Sequence, residues 1–81
     1  MYHLYILQCA DSTLYTGITL DLERRLVEHN DSKLGAKYTR GRRPVRVVFS
    51  YSFPDKASAI KEEMRIKKLP RKAKFLLIGK G

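Results

Sequence analysis

Three short β-forming segments limit the folds that this chain can adopt. Tyr2 to Gln8 and Leu14 to Ile18 are rich in β-branched and aromatic residues, and the turn sequence Ala10-Asp11-Ser12-Thr13 separates them. These two segments predict a β-hairpin. The third segment, Val45 to Tyr51, has apolar residues at every second position, so we predict that one side of this strand carries Val45, Val47, Phe49 and Tyr51.

Helical patterns account for most of the remaining chain. A first helix is predicted from Asp21 to Asn30, with Thr19 or Asp21 as its N-cap. A second helix opens at Pro54-Asp55 and runs to about Lys68, and a third runs from Pro70 to Gly79. The polar, basic segment from Asp31 to Pro44 is predicted to be a loop. The resulting order is ββαβαα, a mixed α/β (α+β) fold in which helices flank a three-stranded antiparallel sheet, and 81 residues allow a single domain over 1–81.

The charge of the chain indicates a polyanionic partner. The formal net charge is +9, and each phosphate that a basic side chain neutralises releases condensed counterions. DNA, RNA and an anionic membrane surface all meet this criterion. Cys9 is the only cysteine, so no internal disulfide can form, which is typical of a reducing compartment. With no signal peptide and no run of about 20 apolar residues, we predict a cytoplasmic protein that does not cross a membrane.

The first predicted helix carries polar residues on its apolar face. Leu22, Arg25, Leu26 and His29 follow the i, i+3, i+4, i+7 spacing of one helix face. Because the leucines must face the core, Arg25 and His29 are drawn towards it. Two simpler interpretations stay open: Arg25 as a side chain that snorkels at the edge of the core, and His29 as a helix-terminal residue that complements the helix dipole.

The second predicted helix places a carboxylate among apolar residues. Glu63 lies inside the apolar stripe formed by Ala57, Ala59, Ile60, Met64 and Ile66. A carboxylate is costly to bury unless a cation compensates its charge. That cation could be the side chain of Arg25 or Lys67, or it could be a bound metal ion.

The hairpin adds two tyrosines and a glycine. If three residues, Asp11 to Thr13, form the turn, Tyr5 pairs with Gly17 and Tyr15 with Leu7, so both phenols point to the same sheet face. A turn of two residues would place the phenols on opposite faces. Ordinary half-buried packing is the alternative role for both tyrosines, and Gly17 is predicted to leave open backbone space for a substrate.

Most basic residues fall into two blocks, which indicate a surface that follows a phosphate backbone. The first block comprises Lys33, Lys37, Arg40, Arg42, Arg43 and Arg46, and the second comprises Lys61, Arg65, Lys67, Lys68, Arg71, Lys72, Lys74 and Lys80. Tyr38 could stack on an unpaired base. Zinc-ligand spacing, a glycine-rich phosphate loop and a Ser-His-Asp arrangement are all missing from the sequence.

These residues, in this order, resemble the GIY-YIG endonuclease superfamily. The resemblance lies in Leu4-Tyr5-Ile6, in Tyr15-Thr16-Gly17, in Arg25 and His29 at the following spacings, and in a helical Glu63. It covers essentially the whole chain. The segments Leu14 to Thr19, Asp21 to Leu26 and Tyr38-Thr39-Arg40 look closest to the small stand-alone bacterial branch, which is similar to the nuclease domain of Slx-type endonucleases.

The resemblance implies a one-metal hydrolysis of DNA phosphodiester bonds. Glu63 would hold one divalent cation, Mg²⁺ or Mn²⁺, and Arg25 would bind the scissile phosphate. Tyr5 or Tyr15 would position or deprotonate the attacking water, and His29 would relay a proton or orient a tyrosine. The residues expected to contact nucleic acid are Gly17, Lys37, Tyr38, Arg40, Arg42, Arg43, Lys67 and Lys68.

Three functions remain open from the sequence. The first is a nuclease that acts on branched, flapped, nicked or single-stranded DNA in repair or recombination. The second is a non-catalytic module that binds DNA or RNA with the same fold. The third is a subunit that requires a protein partner to supply its specificity.

Overall fold

The fold of this protein is an antiparallel sheet covered by helices on both faces. The computed structural model describes residues 1–31, 39 and 41–80. Its elements are β1 (Tyr2–Gln8), β2 (Leu14–Thr19), α1 (Leu22–Asp31), β3 (Arg46–Phe53), α2 (Lys56–Lys67) and α3 (Arg71–Lys80). The sheet order is β2-β1-β3, and both neighbours of β1 run antiparallel to it. This arrangement confirms the predicted ββαβαα order and the three-stranded antiparallel sheet.

The hairpin register agrees with the prediction, although the turn lies one residue earlier. Tyr5 pairs with Gly17, and Leu7 pairs with Tyr15. The backbone amide of Cys9 donates to the Thr13 carbonyl at 2.9 Å, so the three turn residues are 10–12 rather than 11–13. Ser12 adopts a φ of 68°, the left-handed conformation that three-residue hairpin loops require at one position.

Aspartate caps begin the first two helices. Asp21, rather than Thr19, caps α1, because its carboxylate accepts the backbone N–H of Arg24 at 3.1 Å. Asp55 caps α2 in the same way, with its carboxylate 2.8 Å from the backbone nitrogen of Ser58. Each cap satisfies an N–H that has no partner inside its helix.

A β-bulge overturns the predicted alternation of the third strand. Ile6 pairs with Phe49 and Leu7 with Val47, which leaves Val48 as an extra residue on β3. Val45 and Val47 therefore pack with Tyr5 on the α1 side of the sheet. Beyond the bulge, the side chains of Phe49 and Phe53 pack on the other face.

The two sheet faces support separate apolar clusters. The cluster beside α1 contains Tyr5, Leu7, Cys9 and Val45, with Leu22 and Leu26 packed against it. The cluster beside α2 and α3 has Leu4, Ile6 and Ile66 as its buried members. Within the residues that the structure describes, no helix has both the length and the apolar composition needed to cross a membrane.

Thr39 departs from the predicted loop. It is helical and fully buried, whereas the segment from Asp31 to Pro44 was expected to be a polar loop. Asp31 itself belongs to the last turn of α1. The buried position of Thr39 brings its hydroxyl to the site described next.

Candidate active site

The two hairpin tyrosines lie side by side on the α1 face of the sheet. Their ring centroids are 6.4 Å apart, as expected when Tyr5 and Tyr15 sit at positions of the same parity on paired strands. Tyr5 is only 1% exposed, whereas Tyr15 is partly exposed. The two phenols therefore differ in their access to water.

Gly17 makes room for the Tyr5 phenol. A Cβ atom at Gly17 would lie 2.7 Å from Oη and 2.8 Å from Cζ of Tyr5, and 3.2 Å from Cε1 of Tyr15. The expectation of open backbone space at this position was therefore wrong, because a tyrosine side chain of the protein itself fills that space. A contact between Gly17 and nucleic acid stays a prediction.

His29 joins the tyrosine pair from the last turn of α1. Its Nε2 lies 3.0 Å from the Tyr5 hydroxyl, and its ring centroid is 5.1 Å from that of Tyr15. The opposite ring nitrogen, Nδ1, lies 2.9 Å from the hydroxyl oxygen of Thr39. Both nitrogens of a fully buried imidazole thus have hydrogen-bond partners, as a buried polar ring requires.

The pKa values of Tyr5 and His29 keep both groups neutral at physiological pH. Burial raises the pKa of Tyr5 to about 12, and the interaction with Arg25 offsets only part of that effect. Burial, followed by the positive charge of Arg25, lowers the pKa of His29 to about 4. Burial thus disfavours both the phenolate and the imidazolium that a proton transfer from Tyr5 to His29 would create. These pKa shifts favour orientation of Tyr5 by His29 over a proton relay.

Arg25 connects Tyr5 to an open cleft. Its guanidinium donates to Glu28 at 2.9 Å and also interacts with the Tyr5 hydroxyl. Arg25 and Glu28 line a cleft of about 280 Å³ at the start of α1. A half-buried guanidinium at the floor of an open cleft can meet an oxyanion that arrives from solvent.

Glu63 approaches the same group of side chains from α2. Its negative charge acts on the Tyr5 hydroxyl, as do the charges of Tyr15 and Arg25. The Glu63 side chain is 17% exposed, and its carboxylate lies 3.5 Å from Nζ of Lys67. Of the two basic partners considered from the sequence, Lys67 is the one that pairs with it, while Arg25 pairs with Glu28. Among the residues described, no three His, Cys, Asp or Glu side chains come together as a metal site.

Three further residues shape the site, and sequence patterns did not place them in the catalytic group; Arg43 was predicted only as a nucleic-acid contact. Glu28 contacts Arg24 at 3.4 Å, as an i, i+4 pair on the helix surface does, but it also holds Arg25. Thr39 binds His29, and Arg43 donates to the backbone carbonyl of His29 at 2.5 Å. Glu28 could have been found from its i, i+3 spacing to Arg25. No local pattern indicates Thr39 or Arg43.

Several residues predicted to bind nucleic acid serve the fold as well. Arg42 forms an ion pair with Asp11 at 3.0 Å, and the guanidinium of Arg43 is bound to carbonyls at the end of α1. Lys67 and Lys68 are exposed at the end of α2. The remaining predicted contacts lie outside the described residues; they are Lys37, Tyr38 and Arg40.

Comparisons with known proteins agree with this architecture. The family model described as the GIY-YIG catalytic domain matches residues 1–75. A UPF0213 protein of Halobacterium salinarum is 50% identical over 77 residues, which cover 95% of this chain and 99% of that protein. A UPF0213 protein of Syntrophus aciditrophicus is 49% identical over 76 residues, with coverages of 94% and 87%.

Solved structures are similar as well. The solution NMR structure of a UPF0213 protein from Bacillus halodurans superimposes with a TM-score of 0.63 at 45% identity and covers 98% of this chain and 84% of its own. An NMR structure of a protein from E. faecalis gives a TM-score of 0.64 at 40% identity, with coverages of 94% and 81%.

Proposed function

The chain belongs to the GIY-YIG family, and from this membership and the geometry of the site we propose that it is a metal-dependent endonuclease that hydrolyses DNA phosphodiester bonds. One observation carries the proposal: the rings of Tyr5, Tyr15 and His29 pack together with centroids 5.1–6.4 Å apart, and the charges of Arg25 and Glu63 act on the Tyr5 hydroxyl. Binding alone does not require two phenols, a guanidinium and a carboxylate to converge. Hydrolysis requires this set, because charge develops on the phosphate oxygens and on the leaving oxygen.

Glu63 is the residue that would hold the cation. It offers a single, partly exposed carboxylate, which suits a hard ion such as Mg²⁺ or Mn²⁺ that retains most of its water ligands. When bound, such an ion supplies positive charge to the phosphate and to the leaving oxygen. The Glu63–Lys67 ion pair must open for this to happen. Because Lys67 is 53% exposed, the pair contributes little stability and its opening costs little.

Arg25 would bind the scissile phosphate. The cleft at the start of α1 brings solvent to its guanidinium, whose planar fork matches a pair of phosphate oxygens. The contacts with Glu28 and Tyr5 hold the guanidinium in place before the substrate arrives, so little reorganisation is needed during the reaction.

We assign different tasks to the two tyrosines. Tyr15 would meet the attacking water, because its ring is partly exposed. Tyr5 would instead position its neighbours, because it is buried, is bound to His29 and Arg25, and has a pKa of about 12. Arg25 acts on the hydroxyl of Tyr5, whose ring lies beside that of Tyr15, and would favour loss of the water proton by its positive charge.

Exposed lysines would extend the contact along the DNA backbone. Lys67 and Lys68 lie just beyond Glu63 on α2, where they can meet phosphates on either side of the cleavage point. Lys37, Tyr38 and Arg40 complete the proposed surface. Contacts to phosphates rather than to base edges would select DNA by shape, which suits branched, flapped or single-stranded substrates. We place this activity in DNA repair or recombination in the cytoplasm.

The test is cleavage of labelled branched and single-stranded DNA by the purified protein, with Mg²⁺, with Mn²⁺ and with a chelator. We expect cleavage that requires the metal. Glu63→Gln should lower the rate by at least roughly a hundredfold, since even residues that only support a metal ligand are worth about 10–100-fold. Glu62→Gln is the matched control, because Glu62 is adjacent, is also only partly exposed and is paired with Arg65 instead.

The same assay separates the alternatives. Tyr15→Phe should abolish cleavage while leaving DNA affinity unchanged. Metal-dependent cleavage that survives Glu63→Gln would exclude the role of that carboxylate. DNA binding without cleavage under any metal would identify a non-catalytic binding module, and cleavage that appears only after a protein partner is added would identify a partner-dependent subunit.

A further inference from the structure

A buried threonine contacts the histidine of this site. Thr39 is fully buried, and its hydroxyl oxygen lies 2.9 Å from Nδ1 of His29, while Nε2 of the same ring lies 3.0 Å from the Tyr5 hydroxyl. We propose that Thr39 is a positioning residue: its oxygen accepts the Nδ1–H of His29 and thereby holds the imidazole in the orientation in which Nε2 accepts the Tyr5 O–H bond.

Arg25 determines which way the Tyr5 hydroxyl must donate. The guanidinium of Arg25 acts on the Tyr5 hydroxyl, and a guanidinium has only donors, so the Tyr5 oxygen turns its lone pairs towards Arg25. The phenolic proton then needs an acceptor of its own, because a buried donor without a partner is costly. In the described part of the chain, the other hydrogen-bond partner of this hydroxyl is Nε2 of His29. A nitrogen that accepts this bond carries no proton.

The proton of the neutral imidazole must therefore sit on Nδ1. His29 is neutral because burial, together with the charge of Arg25, holds its pKa near 4, and a neutral imidazole has one N–H. The Nδ1–H then donates to the Thr39 oxygen. In the opposite tautomer, Nε2–H and Arg25 would both donate to Tyr5, and the phenolic O–H would point away from both.

The direction of the Tyr5 O–H bond also affects Arg25. With its O–H directed at His29, the Tyr5 oxygen presents lone pairs to the guanidinium and keeps it aligned. Thr39 thus acts on Arg25 through His29 and Tyr5. The effect on turnover rests on the proposed function, whereas the tautomer itself does not.

The tautomer is measured directly by long-range ¹H–¹⁵N NMR of protein labelled at histidine. This experiment distinguishes a protonated ring nitrogen from a bare one. The chain has only two histidines, His3 and His29, and a His3→Gln variant assigns the signals. We expect Nδ1 of His29 to be protonated and Nε2 to be bare. The reverse pattern in the unmodified protein would overturn the proposal, whether or not the protein cleaves DNA.

Variants at Thr39 test the cause. Thr39→Val keeps the shape but leaves the Nδ1–H of His29 without an acceptor, so we expect the ¹⁵N signals of the His29 ring to change and kcat to fall by up to about a hundredfold with little change in KM. Thr39→Ser keeps the hydroxyl and should restore both. Thr16→Val is the control, since Thr16 is also buried but lies on the opposite sheet face from Tyr15.

The outcomes remain decisive if one variant fails to fold. Unchanged His29 ring signals in folded Thr39→Val would refute the role of Thr39. If Thr39→Val does not fold, the spectra of the unmodified protein and of Thr39→Ser decide: Nδ1–H in both supports the proposal, and Nε2–H in either overturns it.

Discussion

The substitution Gly17→Ala tests how tightly the hairpin and the buried phenol are fitted together. The new methyl group would meet Oη of Tyr5 at 2.7 Å and Cζ at 2.8 Å, distances at which some atom must move. If the ring stays, overpacking costs about 1–3 kcal/mol. If it moves, the hydrogen bond to His29 is lost and a buried group loses its partner, at a similar cost of about 1–3 kcal/mol.

A smaller effect opposes this destabilisation. Replacing glycine in a strand reduces the conformational entropy of the unfolded chain, which raises the free energy of unfolding by about 0.5–1 kcal/mol. The net destabilisation of Gly17→Ala should be on the order of 1–2 kcal/mol, which lowers Tm by roughly 4–16 °C in a domain of this size. Cleavage should also fall, because Tyr5 can no longer hold both His29 and Arg25.

Thermal unfolding followed by circular dichroism measures the effect. Gly79→Ala is the matched control, because no atom lies within 4 Å of the new Cβ in α3 and alanine favours a helix over glycine; its Tm should be unchanged or higher. A Gly17→Ala protein with an undiminished Tm and an unchanged His29 NMR spectrum would show that the close contact with Tyr5 does not constrain the site.

The remaining predictions concern pH and the basic residues. Because the folded-state pKa of His29 is about 4, below its ordinary 6.5, the unfolded chain binds the proton first, and about 3 kcal/mol of stability should be lost as the pH falls from 6.5 to 4; urea unfolding should show a weaker loss over this range in His29→Gln. Arg43→Ala should lower the free energy of unfolding by about 1 kcal/mol, since the backbone carbonyls of residues 28 and 29 lose their donor. Lys68→Ala should leave stability within about 0.5 kcal/mol but reduce the slope of log K for DNA against log salt by about 1. If Lys68→Ala and the unmodified protein gave equal slopes of log K against log salt, Lys68 would not be part of the DNA-binding surface.

The amino-acid sequence by itself determined the order of elements. Period-two and period-3.6 patterns are local, so β1, β2 and the helices could be predicted from neighbouring residues. The pairing of Tyr5 with Gly17 was predicted for a turn of three residues, while a turn of two residues stayed open. Arg25 and His29 could be assigned to the buried face of α1 from their intervals to Leu22 and Leu26.

Only the tertiary structure decided which side chains meet across those elements. A single extra residue at Val48 reverses the parity of β3, and a regular alternation cannot reveal it. Thr39 meets His29, and Arg43 binds the end of α1, across 10 and 14 residues of chain. Such contacts form because buried polar groups must find partners within the packed fold, and a partner that is distant along the chain leaves no periodic signal.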